Sequence, residues 1–227
     1  YGRWPVELFY DRGILGPRTI LAHCVWMQES ELQLMEKTKA AVAHCPVSNL
    51  KLASGIAPIQ EMHQHGIVVG IGTDGVKENN NLDMLEEMKF VPLLQKVKHY
   101  DATLLKVEKV IRMATIDGAK ALGLDREIGS IEIGKKADII TVDFRKLHLT
   151  PILTDSYANI TSNLVYAAQG NDVQNVWIDG KLIMENRKLL TIDEEKARVG
   201  GQIAAEQLLA RREAFIPKEY QFQGGKL

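Results

Sequence analysis

Three short runs of apolar and small residues, each ending at a polar residue able to bind a ligand, constrain this chain most. They are Thr19-Ile20-Leu21-Ala22-His23, Ala40-Ala41-Val42-Ala43-His44 and Ile67-Val68-Val69-Gly70-Ile71-Gly72-Thr73, the last followed at once by Asp74. None alternates apolar with polar residues, so each reads as a strand buried on both faces. Helical patterns separate them. Ser30, with Gln33 three residues on, reads as the capping box of a helix running to about Lys39. Pro58 and Gly66 bracket a second helix. Strands alternating with helices imply a parallel sheet, either doubly wound or closed into a barrel.

Beyond Asp74 the pattern turns helical and then changes class. Met84, Leu85, Met88, Val91 and Leu94 mark a helix from Leu82 to about Val97, and Leu104, Val107 and Ile111 mark another from Thr103 to about Met113. A shorter helix, Asp117 to Leu122, stops at Gly123. From Gly129 the chain reads as small antiparallel strands over Ser130–Ile133, Ala137–Val142, Val176–Ile178 and Lys181–Met184. Asp179-Gly180 joins the last two, and its glycine relieves the positive φ that a type I′ hairpin turn needs. A final helix is expected from Asp193 to Glu213, weakened at Gly200-Gly201, with a loose polar tail from Lys218. The expected divisions are residues 1–124, 125–192 and 193–227.

Bulk properties exclude several function classes. A net charge of -1 leaves no electrostatic footprint for nucleic acid or an anionic membrane. No apolar run approaches the roughly 18 residues of a membrane span. Two cysteines, Cys24 and Cys45, make no disulfide framework and point to a reducing cytoplasm. The chain opens on Tyr1-Gly2-Arg3-Trp4-Pro5 without a signal-peptide pattern, which reads as the middle of a longer protein.

His23, His44 and Asp74 would end three successive strands, and in parallel α/β barrels the chemistry gathers at the C-terminal strand ends. Asp74 is flanked by Gly72 and Gly75, which let backbone approach and leave the carboxylate free for a metal. The competing reading is a helix cap or turn. For His23 and His44 the competing reading is a buried, hydrogen-bonded core histidine. The two His-Cys pairs do not make a zinc site. Neighbours on a strand point to opposite faces, and the spacing matches no closed four-ligand pattern. Ser48-Asn49 falls in a strand-to-helix loop, as a substrate contact or a local turn. Lys77-Glu78-Asn79-Asn80-Asn81 is either a solvated cap or a specificity loop over the site. The candidate substrate contacts are therefore His44, Ser48, Asn49 and Glu78. His63 and His65 are expected beside helix-end carbonyls, while His99 and His148 suggest no partner.

Four stretches together carry a family likeness: Ala22-His23-Cys24-Val25-Trp26, Ala43-His44-Cys45-Pro46-Val47-Ser48-Asn49-Leu50-Lys51-Leu52-Ala53-Ser54-Gly55, Gly72-Thr73-Asp74-Gly75 and Asn79-Asn80-Asn81-Leu82-Asp83-Met84. The run Gly129-Ser130-Ile131-Glu132-Ile133-Gly134-Lys135-Lys136-Ala137-Asp138 adds to it. The chain resembles the amidohydrolase superfamily, in the branch of methylthioadenosine/S-adenosylhomocysteine deaminases and triazine hydrolases. That resemblance implies the C-terminal portion of a (β/α)8 TIM-type barrel, strands six to eight, followed by part of a small β-sandwich. It implies one divalent metal, zinc first and iron second, with Asp74 as ligand and proton carrier. His23 then holds the hydroxide or the developing oxyanion.

The family's His-x-His pair, its strand-five histidine and its catalytic glutamate have no match and would lie before Tyr1. The chain is thus expected to need the N-terminal half of the same enzyme, to be inactive alone, and to expose an unpaired strand edge. A homo-oligomer is also expected. The implied reaction is hydrolytic deamination of an amino-substituted N-heterocycle: a nucleoside, nucleobase or triazine. The alternatives are triazine dechlorination or another C–N hydrolysis, and a non-catalytic scaffold that kept the fold. Val76-Lys77-Glu78 departs from the small residues often found there in adenosine-type deaminases, which leaves the substrate open.

Overall fold

The computed structural model describes residues 2–215. The three apolar runs form one parallel sheet in sequential order: β1 (Ile20–Ala22), β2 (Ala41–His44) and β3 (Val69–Ile71). Helices α1 (Pro5–Asp11), α2 (Glu29–Thr38), α3 (Pro46–Lys51) and α4 (Ile59–Gln64) precede or connect them. After β3 come α5 (Val76–Asn79), α6 (Met84–His99), α7 (Val107–Ala114) and α8 (Ile116–Ala121). A second sheet is antiparallel, in the order β4 (Ile139–Val142), β5 (Val173–Ile178), β6 (Lys181–Glu185), β7 (Lys188–Leu189), with α9 (Ile160–Tyr166) between β4 and β5. Helix α10 (Glu194–Phe215) closes the described chain and stays exposed wherever its side chains are described.

Register explains why β2 and β3 are buried on both faces, whereas β1, expected to be buried as well, lies at the sheet edge and leaves Ile20 and Ala22 exposed. Val42 lies beside Val69 and Ala43 beside Gly70, and successive residues point to opposite faces. Val42 and Val69 join Met35, Met62, Val91 and Met113 in the core. On the other face α8 lies against β2 and β3. Glycine eases this approach, because a Cβ on Gly70 would sit 3.0 Å from the Cα of Gly118 and force the backbone to give.

Several expectations shift by a turn or change partner. Helix α2 begins earlier than expected: the Gln28 amide donates to Glu31, while Ser30 donates to Glu7 instead of capping its own helix. Ser48 and Asn49 lie inside helix α3, and Val76–Asn79 form helix α5 where a loop was expected. Ser130–Ile133 forms no strand, and no described strand lies alongside to pair with it. The Asp179-Gly180 turn appears as expected, with both residues at positive φ. Gly200 and Gly201 sit within a continuous α10. The expected tail from Lys218 lies outside the described residues.

The small sheet is not separate from the parallel layer. Helix α9 packs on α6 and α7, and Leu149, Val165 and Ala168 belong to the same core as Val42 and Val69. Asp83 ties the two together at one point. Its Oδ1 accepts from the Leu85 amide at 2.9 Å, capping α6, and its Oδ2 accepts from the Gly170 amide at 2.8 Å.

His65 bridges α2 and α4 rather than facing helix carbonyls. Its Nδ1 lies 2.8 Å from Glu36 and its Nε2 3.1 Å from Glu29. The bond to Glu36 is the main cause that raises its pKa above the ordinary histidine value. A raised folded-state pKa stabilises fully below the ordinary value and is lost as pH rises through the folded one. Melting temperature should therefore fall across that interval, and Glu36→Gln should flatten the fall. A pH profile identical in both proteins would remove His65 as its source. At the sheet, Gly70→Val should lower the unfolding free energy by about 1–3 kcal/mol through overpacking against Gly118, measured by chemical denaturation.

Candidate active site

The strand ends bring His23 and Asp74 to one exposed rim. The His23 amide still donates to the Ala43 carbonyl at 2.9 Å, and the Gly72 amide to the His44 carbonyl at 2.9 Å, so the ladder holds up to the site. There the backbone turns sharply. His23, Cys24 and Asp74 adopt φ of 65°, 47° and 62°. The left-handed region is uncommon outside glycine but more accessible to Asp and His than to most residues. The two side chains converge, with His23 Nε2 3.7 Å from Asp74 Oδ2. That is too long for a hydrogen bond, and an atom contacting both would sit to the side of the line joining them. The side chains remain 40% and 26% exposed, so the point is reachable from solvent.

The first turn of α3 holds both residues from behind. Pro46 occupies its start, where its missing N–H costs nothing. Ser48 Oγ donates to Asp74 Oδ2 at 2.6 Å, and the Gly75 amide donates to Asp74 Oδ1 at 2.8 Å. The Ser48 bond is the largest cause that lowers the Asp74 pKa below the ordinary aspartate value, followed by the Gly75 bond. The carboxylate is therefore ionised at neutral pH. His23 Nδ1 lies 2.9 Å from Asn49 Oδ1. An amide oxygen accepts, so Nδ1 is the donor in this bond and Nε2 is left facing Asp74.

The other candidates fall elsewhere. Ser48 and Asn49 are buried, and their bonds go to Asp74 and His23 rather than to an open cavity. His44 follows Val42 onto the core face of β2. Burial is the main cause that lowers its pKa, to about 3, with His23 and His63 adding to the shift. It stays neutral, away from the rim. Glu78 is half-buried over the Asp74 turn: a Cβ on Gly75 would meet its carboxylate at 2.5 Å. Burial pushes the Cys24 thiol up to about 12 and the Cys45 thiol up to about 11, so neither offers a thiolate. His148, which suggested no partner, lies 2.9 Å from buried Asp172.

One buried residue was missed by sequence reasoning. Glu87 accepts from the Val47 amide at 3.2 Å and from Asn79 Nδ2 at 2.5 Å. Its signal was present: Glu87 falls among Met84, Met88 and Val91, on the apolar stripe of α6.

A divalent metal fits this rim in part. Asp74 offers an ionised carboxylate, and His23 a nitrogen aimed at the same point. Among the described residues, no three His, Cys, Asp or Glu side chains converge to hold an ion. The described residues can supply ligands but not a closed shell.

The amidohydrolase family model matches residues 3–183. The chain belongs to the amidohydrolase family. A 5'-deoxyadenosine deaminase from Methanosarcina acetivorans is 45% identical over 94% of the chain and 48% of its own length. A 5-methylthioadenosine/S-adenosylhomocysteine deaminase from Pelotomaculum thermopropionicum is 46% identical over 93% of the chain and 47% of its own length. The crystal structure of an adenosine deaminase from Xanthomonas campestris, with bound zinc, superposes with a TM-score of 0.87. It shares 36% identity and matches 92% of this chain and 47% of that one. This amidohydrolase chain thus spans about half the length of these relatives.

Ser48→Ala should raise the Asp74 pKa toward the ordinary aspartate value by removing its strongest hydrogen bond. NMR titration of the Asp74 carboxyl carbon reads this directly. An unchanged midpoint would show that Gly75 alone sets it.

Proposed function

We propose that the protein carrying this chain hydrolytically deaminates an amino-substituted N-heterocycle of the adenosine type. The observation that carries this is the convergence of His23 and Asp74 at the exposed strand ends, each oriented from behind by Asn49 or Ser48. In this reading the parallel sheet forms strands six to eight of an eight-stranded barrel, and the small sheet is part of a β-sandwich. The relatives of known name support it, since they are deaminases of adenosine-type compounds.

Asp74 would hold a divalent metal, zinc first and iron second, together with ligands from the rest of the protein. A bound metal of this kind supplies hydroxide near neutral pH. Asp74, kept ionised by Ser48 and Gly75, takes the proton of the attacking water and returns it to the departing amine. His23 presents Nε2 to the same oxygen and keeps it aimed at the ring carbon, because the Asn49 bond fixes its ring plane. Water adds at the ring carbon, the C–N bond breaks, and ammonia leaves. Ser48 and Asn49 act behind the reacting groups. Glu78, beside Gly75, faces the substrate and helps choose it.

The test is Asp74→Asn in the full-length protein, assayed for ammonia from 5'-deoxyadenosine, methylthioadenosine and S-adenosylhomocysteine and for chloride from atrazine, with metal content measured. Turnover should fall by at least about 1,000-fold, in the range seen when a proton carrier or key electrostatic group is removed, and bound metal should drop. Turnover retained in the variant overturns the mechanism. Chloride without ammonia turns the reading to dechlorination. A wild-type protein with neither metal nor turnover turns it to a non-catalytic scaffold.

A further inference from the structure

Glu87 is a carboxylate buried to 0% exposure on the apolar stripe of α6, and no salt bridge reaches it among the described residues. A buried carboxylate without a cation is costly and is kept only where hydrogen bonds compensate. Here there are two, and they come from different short helices, α3 and α5. One oxygen accepts from the Val47 amide, in the turn after β2. The other accepts from Asn79 Nδ2, and the same Asn79 nitrogen also donates to the Thr73 carbonyl at 2.7 Å. Thr73 directly precedes Asp74, and Val47 directly precedes Ser48. The two ends of the Ser48–Asp74 hydrogen bond are thus each one residue from a group that Glu87 holds, directly or through Asn79.

We infer that Glu87 is a positioning residue: it locks the turn carrying Ser48 to the turn carrying Asp74, and so sets the direction in which the Asp74 carboxylate points. This rests on the reading of Asp74 as the reacting carboxylate. Glu87 itself touches neither Asp74 nor the open rim. Both its partners are donors, so the site needs two acceptors from one side chain. A carboxylate provides them. A glutamine provides one acceptor and sets its NH2 against either the Val47 amide or the Asn79 amide nitrogen.

Gln95, two turns further along α6, is the natural control. It is also fully buried, donating to the Ala57 carbonyl at 2.9 Å and accepting from the Gln60 amide at 3.3 Å, but it ties down a loop that carries no site residue. The experiment compares Glu87→Gln, Asn79→Ala and Gln95→Met in the full-length protein. Hydrogen exchange is measured on the metal-free form, and metal affinity and turnover on the loaded form.

Glu87→Gln should speed amide exchange at both 46–49 and 73–79, Asn79→Ala only at 73–79, and Gln95→Met at neither. Glu87→Gln should also weaken metal affinity or kcat by roughly 10- to 100-fold, the usual effect of losing a group that orients a ligand, with KM nearly unchanged. Equal acceleration in Glu87→Gln and Gln95→Met would reduce Glu87 to general stability and overturn the inference. So would a Glu87→Gln protein with wild-type exchange in both turns. If Glu87→Gln does not fold, Asn79→Ala decides alone: exchange at 73–79 unchanged from wild type overturns the inference. The exchange measurement needs no turnover, so a failure of the proposed deamination leaves it intact.

Discussion

The first turn of α3 is the contact on which the site depends. Val47, Ser48 and Asn49 are consecutive, yet each bonds a different part of the fold: α6, the turn after β3, and the turn after β1. A helical turn can do this because its successive side chains and free N-terminal amides radiate in different directions. Pro46 pins the start, and the parallel register of β1, β2 and β3 presents the neighbouring strand ends at matching heights. Without the sheet, the three bonds would have no common origin. Without the turn, the strand ends would carry two unrelated polar residues.

Helix α6 gives this arrangement its footing. Its Asp83, Glu87 and Gln95 each send a polar side chain to the backbone of another segment, at Gly170, Val47 and Ala57 respectively. The helix packs by Leu85, Met88 and Val91 and positions by hydrogen bonds from the same stripe. Apolar contact brings elements together without specifying their register. Buried polar groups penalise every arrangement that leaves them unpaired. Packing and positioning are thus divided between residues one helical turn apart.

Much of this was legible in the chain. The three unalternating runs identified the parallel strands. Asp179-Gly180 placed the hairpin, because its requirement for positive φ is local and few residues meet it. Helix starts were less legible, since they depend on tertiary partners: Ser30 looks like a cap until Glu7, far back in the chain, takes its hydroxyl. Ser48, Asn49 and His44 were read as substrate contacts because sequence shows residue type and not depth. The structure sinks all three. The strand-like Ser130–Ile133 pattern depends on a partner that the described residues do not provide.

The left-handed backbone at His23, Cys24 and Asp74 carries a last consequence. Residues held at such angles cost of order 1–3 kcal/mol each unless their surroundings compensate. At His23 and Asp74 the compensation is the hydrogen bonds to Asn49, Ser48 and Gly75. At His23 and Asp74, selection for thermal robustness alone would favour glycine, relieving the angle and deleting the proposed reacting group together. Attempts to harden this protein by substitution therefore meet an opposing demand at the strand ends, and greater robustness is better sought on surfaces that the chemistry does not use.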